Sequence, residues 1–164
     1  MPTITLTIER TWPIAMALAA EIRTIRDRMF ESQESYGYGP IVTCDTEQEH
    51  SNYRTIADAC WVALRQMASQ GDTEAKAAIE GLNRDEDRLK AQEQDVERNG
   101  YQPGAKVHFK TPVEVRGVDY KMVTKKGGIV RGFVIRPSDM QTIYKVEVRK
   151  GVIVNQMPAN LEDA

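Results

Sequence analysis

An α+β fold is predicted: an N-terminal strand and three helices, the third unusually long, followed by a small unit of β-strands. Three observations carry that expectation. Apolar residues recur at helical spacing through most of 13–99, and after residue 104 they gather in short β-branched runs. Gly, Pro, Asp and Ser clusters separate those runs, as turns between strands require. The expected division is 1–100 for the strand and three-helix platform and 101–164 for the β-unit.

Thr3–Glu9 alternates, with Ile4, Leu6 and Ile8 on one face and Thr3, Thr5, Thr7 and Glu9 on the other, the mark of a half-buried strand. Thr11 is placed to cap the first helix, and Pro13 falls in its first turn, where a missing N–H costs little. Ile14, Leu18, Ile22, Ile25 and Met29 then form one apolar stripe. Arg23, Arg26 and Arg28 share the polar side with Glu21 and Asp27, so a solvated surface is expected there.

Between the first two helices lies Tyr36-Gly37-Tyr38-Gly39-Pro40, a loop whose tyrosines are candidates for a contact surface. The competing and favoured expectation is a connector whose tyrosines pack back onto the helices. Thr46-Glu47-Gln48-Glu49 has capping-box spacing and marks the second helix. Its apolar side runs Tyr53, Ile56, Ala57, Cys60, Trp61, Leu64, Met67 and Ala68, with Trp61 as the expected centre of the helical core.

Asp72 caps the third helix, which ends at Asn99-Gly100 before Pro103. Its apolar content thins midway: beyond Leu82 only Leu89, Ala91 and Val96 remain. Ile79, Leu82, Leu89 and Val96 are therefore expected to serve a subunit contact, and the protein is expected to self-associate.

Net charge is −2, yet residues 1–100 hold 11 Lys+Arg against 18 Asp+Glu while 101–164 hold 11 against 6. A basic C-terminal half points towards an anionic partner. Cys44 and Cys60 are the only cysteines, too few for a disulfide framework, and Cys60 on the apolar stripe reads as a buried free thiol. The N-terminal residues lack the features of a secretory signal, and no apolar run approaches the roughly 18 residues of a membrane span. A cytoplasmic location is expected, the host cytoplasm if the protein is phage-encoded.

In the β-unit, Gly104–Phe109 reads as an entry strand and Val113–Arg116 as a further short β-rich run, and a long glycine-containing loop follows through Lys125-Lys126-Gly127-Gly128. Ile129–Ile135 suits a central strand that bends at Gly132. A turn at Pro137–Asp139, the alternating Thr142–Val148, a turn at Lys150-Gly151, Val152–Asn155 and a closing Met157-Pro-Ala-Asn-Leu161 complete it. This order resembles the small SH3-like barrel of Tudor, KOW and Src-homology-type domains, over about sixty residues. The resemblance implies a barrel-shaped binding module and no particular ligand. Aromatic residues are few beyond Tyr120, Phe133 and Tyr144, which disfavours grip on proline or methyl-lysine.

Glycine-rich phosphate loops, nucleophile elbows and zinc-protease motifs are missing, and His50, His108, Cys44 and Cys60 show no metal-ligand spacing. The acidic clusters Asp45/Glu47/Glu49 and Asp85-Glu86-Asp87, and the pair Glu31/Glu34, read as solvated charge. No catalytic residue, metal or cofactor is expected. The leading expectation is a non-enzymatic binding or assembly protein, a bacterial or phage accessory adaptor or an inhibitor that sequesters a protein partner. The alternative is a nucleic-acid or nucleotide binder using Lys125, Lys126, Arg131 and Arg136 with Tyr144, alongside Tyr36 and Tyr38. A metal-dependent hydrolase with an unrecognised carboxylate site comes third.

Overall fold

The structure is a computed structural model, and it describes Thr3 and residues 13–35 and 44–164, with side chains from 48 onward in the second stretch and up to 31 in the first. The expected strand Thr3–Glu9, the Thr11 cap and the Tyr36–Pro40 loop lie outside these residues. Three helices, α1 (Ile14–Ser35), α2 (Cys44–Ser69) and α3 (Thr73–Asn99), precede five strands. The strands are β1 (Lys106–Arg116), β2 (Met122–Arg136), β3 (Gln141–Arg149), β4 (Val152–Gln156) and β5 (Leu161–Asp163), and a 3-10 turn (Pro158–Asn160) precedes the last. The architecture is α+β. Among the described residues no helix is long and apolar enough to cross a membrane.

Two compact units divide within α3: one takes in α1, α2 and α3 as far as Arg88, the other α3 from Leu89 and all that follows. In the first, Leu18 and Ile22 of α1, Cys60 and Leu64 of α2, and Ala75 and Leu82 of α3 form one apolar core. The expected stripe on α1 holds except at its first member, because Ile14 is 60% exposed while Ala15, Ala17 and Ala19 are buried. Trp61 is not the centre of this core. Cys60 and Leu64 are fully buried, whereas Trp61 packs at the margin with the Arg65 guanidinium 5.2 Å from its ring centroid.

Two adjacent residues end α2 and start α3. Gly71 (φ 92°) takes the left-handed conformation, its N–H bonding to Ala68 O and that of Asp72 to Met67 O at 3.1 Å each, which satisfies the last carbonyls of α2. The Asp72 carboxylate then accepts the Ala75 N–H at 3.0 Å, capping α3 as its sequence position predicts. Arg23 of α1 ties down the middle of α3 through its Nε, 2.7 Å from Asp85 Oδ2.

The helix ends at Asn99 for a reason of space as well as sequence. A Cβ on Gly100 would run into the Val96 carbonyl and the Tyr144 hydroxyl, so only glycine lets the chain leave α3 over the sheet.

In the second unit the sheet order is β4-β3-β2-β1-β5, antiparallel throughout. β2 is central, as Ile129–Ile135 predicts. A flat sheet would put its edge strands about 19 Å apart, yet β4 and β5 are joined by only Met157–Asn160, most of it in a 3-10 turn. The sheet is therefore strongly curled, and register shifts at His108/Val113, Val130/Gly132 and Glu147/Arg149 provide the bends. It remains open, with β4 and β5 as its two edges. Val107, Phe109, Val130, Ile135, Tyr144, Val146, Leu161 and α3's Val96 fill its concave side.

The expected loop through Lys125–Gly128 is instead the middle of β2. Gly127 and Gly128 pair with His108 and Val107, and a Cβ at either would collide with a neighbouring strand, on Val107 O or Glu147 O. Two glycines that read as a loop in the sequence serve a close approach of backbones.

Candidate functional site

The strand ladder singles out one segment. β5 meets β1 only at Val107–Phe109, and β3 meets β2 only from Ile129 onward. Val113–Arg116 and Lys125–Met122 pair with each other and, among the described residues, with no further strand. They form a two-stranded arm, and at about 3.3 Å per residue it reaches on the order of 20 Å beyond Phe109.

The base of the arm is held in place. Where β1 loses its β2 partners after His108, the Asn160 side chain takes their role. Its Oδ1 accepts the Thr111 N–H at 2.7 Å and its Nδ2 donates to Thr111 O at 3.1 Å and to Gln156 Oε1 at 2.6 Å. Pro112, which has no N–H to offer a ladder, occupies the same irregular stretch.

The tip, Gly117–Lys121, is closed by Gly117 N–H on Lys121 O (2.6 Å), Tyr120 N–H on Gly117 O (3.1 Å) and Lys121 N–H on Asp119 Oδ1 (3.3 Å). Tyr120 adopts φ 63°, uncommon for a side chain of its size. The apolar residues here point outward: Val118 is 90% exposed, Tyr120 82%, Met122 57% and Val123 38%. Only Val115 is buried, with Val113 partly so. Residues 110–126 carry Lys110, Arg116, Lys121, Lys125 and Lys126 against Glu114 and Asp119. No ion pair among the described residues involves any of those five cations.

Two of the expected binding residues, Lys125 and Lys126, belong to this arm, the first half-buried and the second exposed. The structure does not bring Arg131 and Arg136 to them. Arg131 lies at the bulge on β2 with Nη2 3.2 Å from Glu147 Oε1. Arg136 holds Asp139 in a fork, Nε to Oδ1 at 2.9 Å and Nη2 to Oδ2, and those hydrogen bonds press the Asp139 carboxyl below its usual range. Tyr144, expected to stack on a base, is 4% exposed and belongs to the core. Tyr36 and Tyr38 lie outside the described residues.

The four residues expected at a subunit contact are used within the chain. Leu82 is 3% and Val96 6% exposed, and Ile79 and Leu89 pack against the clusters those two enter. The premise that they are too sparse to be buried internally fails because α3 is shared: Ile79 and Leu82 serve the helical core, Leu89 and Val96 the sheet.

Of the acidic clusters, Asp85 is drawn in by Arg23 and Arg26, while Glu86 and Asp87 are exposed. Among the described residues no three of His, Cys, Asp and Glu gather as a metal would need. Cys60 is a buried free thiol. Burial, and after it the charge of Glu21, push its pKa up. Cys60 should therefore react with a thiol reagent such as DTNB only at the rate of unfolding. The folded form keeps its proton longer than the unfolded one, so stability should fall as pH rises through the thiol range. Rapid labelling of Cys60 in the folded protein, read by peptide mass, would contradict this.

No family model, curated protein or solved structure matches the chain.

Of the arm, the sequence shows Val113–Arg116 as a β-rich run but not its pairing with Met122–Lys125. The usable signal was the pair Val113-x-Val115 and Met122-Val123 flanking Gly117 and Asp119, a hairpin pattern split by an irregular five-residue turn.

Proposed function

We propose that this is a non-enzymatic binding protein that engages a macromolecular partner through the β1–β2 arm, with the curled sheet as its scaffold. The observation that carries the reading is the outward display of Val118, Tyr120, Met122 and Val123 on a ribbon that no other strand among the described residues flanks. Exposed apolar side chains grouped in this way mark interaction sites far more often than scattered ones do. Fixing the base through Asn160 presents the tip without a large ordering cost on binding.

In this reading the β-unit is a Tudor/KOW-type, SH3-like module in the service of an adaptor or a sequestering inhibitor acting in the cytoplasm. Support comes from the meander in which β5 returns beside β1 after a 3-10 turn, and from the short Met157–Asn160 connection that curls the β4 and β5 edges towards each other.

A photo-crosslinking residue at Tyr120, tested in native cells beside the same residue at exposed Gln94 of α3, examines the proposal. A discrete adduct at 120 and none at 94 is expected. Absence of any adduct at 118, 120 and 122, in protein shown to be folded, would remove the arm as the contact element.

A further inference from the structure

We propose that the arm binds double-stranded DNA, its cations on the phosphates and its tip in the major groove. This rests on the arm being the contact element, and it adds the chemistry of the partner.

Charge comes first. Five cations face two carboxylates between residues 110 and 126. None of the five takes part in an ion pair among the described residues. Of its carboxylates, Asp119 already accepts the Lys121 N–H. A ribbon with this excess seeks a polyanion.

Composition separates a nucleic acid from an acidic protein. Protein interfaces are depleted in lysine and favour arginine and aromatics. Four of the arm's five cations are lysines, and Tyr120 is its one aromatic residue. Lysine is a compact point charge suited to phosphate, where bidentate geometry is not needed.

Shape separates duplex DNA from the other nucleic acids. Two strands about 4.8 Å apart, with side chains, make a ribbon that matches the roughly 12 Å major groove of B-DNA. The deep, narrow major groove of A-form RNA does not admit it. At the tip, Val118 and Met122 offer apolar contact to thymine methyl groups and Tyr120 a ring for base edges. Arg116 and Met122 are directly opposed on the ribbon, so a cation and an apolar group share one face at the tip's base.

The test is fluorescence anisotropy with the full chain and a labelled 30-base-pair duplex, from 50 to 300 mM NaCl. About four phosphate contacts give a slope of log K against log salt near −3.6. Lys121→Ala with Lys126→Ala should flatten that slope by about two. Arg116→Glu, Lys121→Glu, Lys126→Glu should weaken binding by about 100-fold at low salt. Val118→Ser with Tyr120→Ser should weaken it several-fold at an unchanged slope. These positions are exposed, so thermal melts should coincide with the parent's, which shows that each variant is folded.

Four results would overturn the proposal: no duplex binding at 50 mM salt, unchanged affinity in the charge-reversed protein, polyglutamate competing as well as DNA, or single-stranded DNA or duplex RNA binding as tightly as duplex DNA. A Tyr120 adduct that contains only protein, with no duplex binding, would sink this proposal and leave the arm reading standing. No adduct at all would sink both.

Discussion

Tyr144→Ala should destabilise the sheet unit by about 3–5 kcal/mol, the range for removing a large buried aromatic. Tyr144 is 4% exposed and lies among Tyr101, at 5.4 Å between ring centroids and 77°, and Phe133, at 6.4 Å and 60°, both edge-on arrangements that aromatic rings favour. Its hydroxyl accepts the backbone N–H of Tyr101 at 3.1 Å, where the chain has just left α3. The change thus removes both a core filler and the anchor of the α3 exit. Tyr144→Phe isolates the second part. It keeps the ring and leaves the Tyr101 N–H without that acceptor, so about 1–3 kcal/mol should be lost. Urea unfolding followed by tyrosine fluorescence measures both. Two variants as stable as the parent would mean that Tyr144 is not a core residue, and its earlier candidacy as a ligand contact would return.

That candidacy shows where the sequence was legible and where it was not. Tyr144-x-Val146-x-Val148 alternates, and the alternation correctly put Tyr144 on one face with the valines. The face was right and the ring is buried on it, but a tyrosine among lysines reads the same whether its ring is buried or offered to a base. Helices were legible for the complementary reason. Burial on one side imprints a period on the sequence, and Asp72 and Gly71 mark the α2–α3 junction by chemistry that few residues can perform.

Beyond the β-rich run Val113–Arg116, the arm as a paired ribbon left no such imprint. Pro112, Glu114, Arg116, Met122 and Thr124 are exposed, and on the opposite face Val123 is too, so no clean alternation of apolar and polar survives through β2's first half. Gly127 and Gly128 then simulate a loop, since a glycine needed for close approach looks like a glycine needed for a turn. Trp61 misled by size: the largest apolar side chain lies at the margin, while Cys60 and Leu64 occupy the centre.

Leu82→Glu should unfold the helical unit, and it distinguishes two readings of the same residue. If Leu82 lay at a subunit contact, a glutamate would dissociate the assembly and leave a helical monomer of 18.5 kDa. The structure instead buries Leu82 to 3% within the cluster of Leu18, Ile22, Cys60, Leu64 and Ala75. A carboxylate there has no partner among these apolar groups and either takes a proton or drags water inward, at a cost of several kcal/mol. The total stability of a small domain is about 5–15 kcal/mol, so most of it would go. Leu89→Glu is the internal control. Leu89 is only half-buried and packs against the other cluster, so its charge can turn to water and the loss should stay near 1–2 kcal/mol. Helical circular dichroism and light scattering on both variants decide between the readings. Loss of helix in Leu82→Glu with retention in Leu89→Glu is expected, whereas a fully helical Leu82→Glu monomer would move Leu82 to a surface shared between subunits.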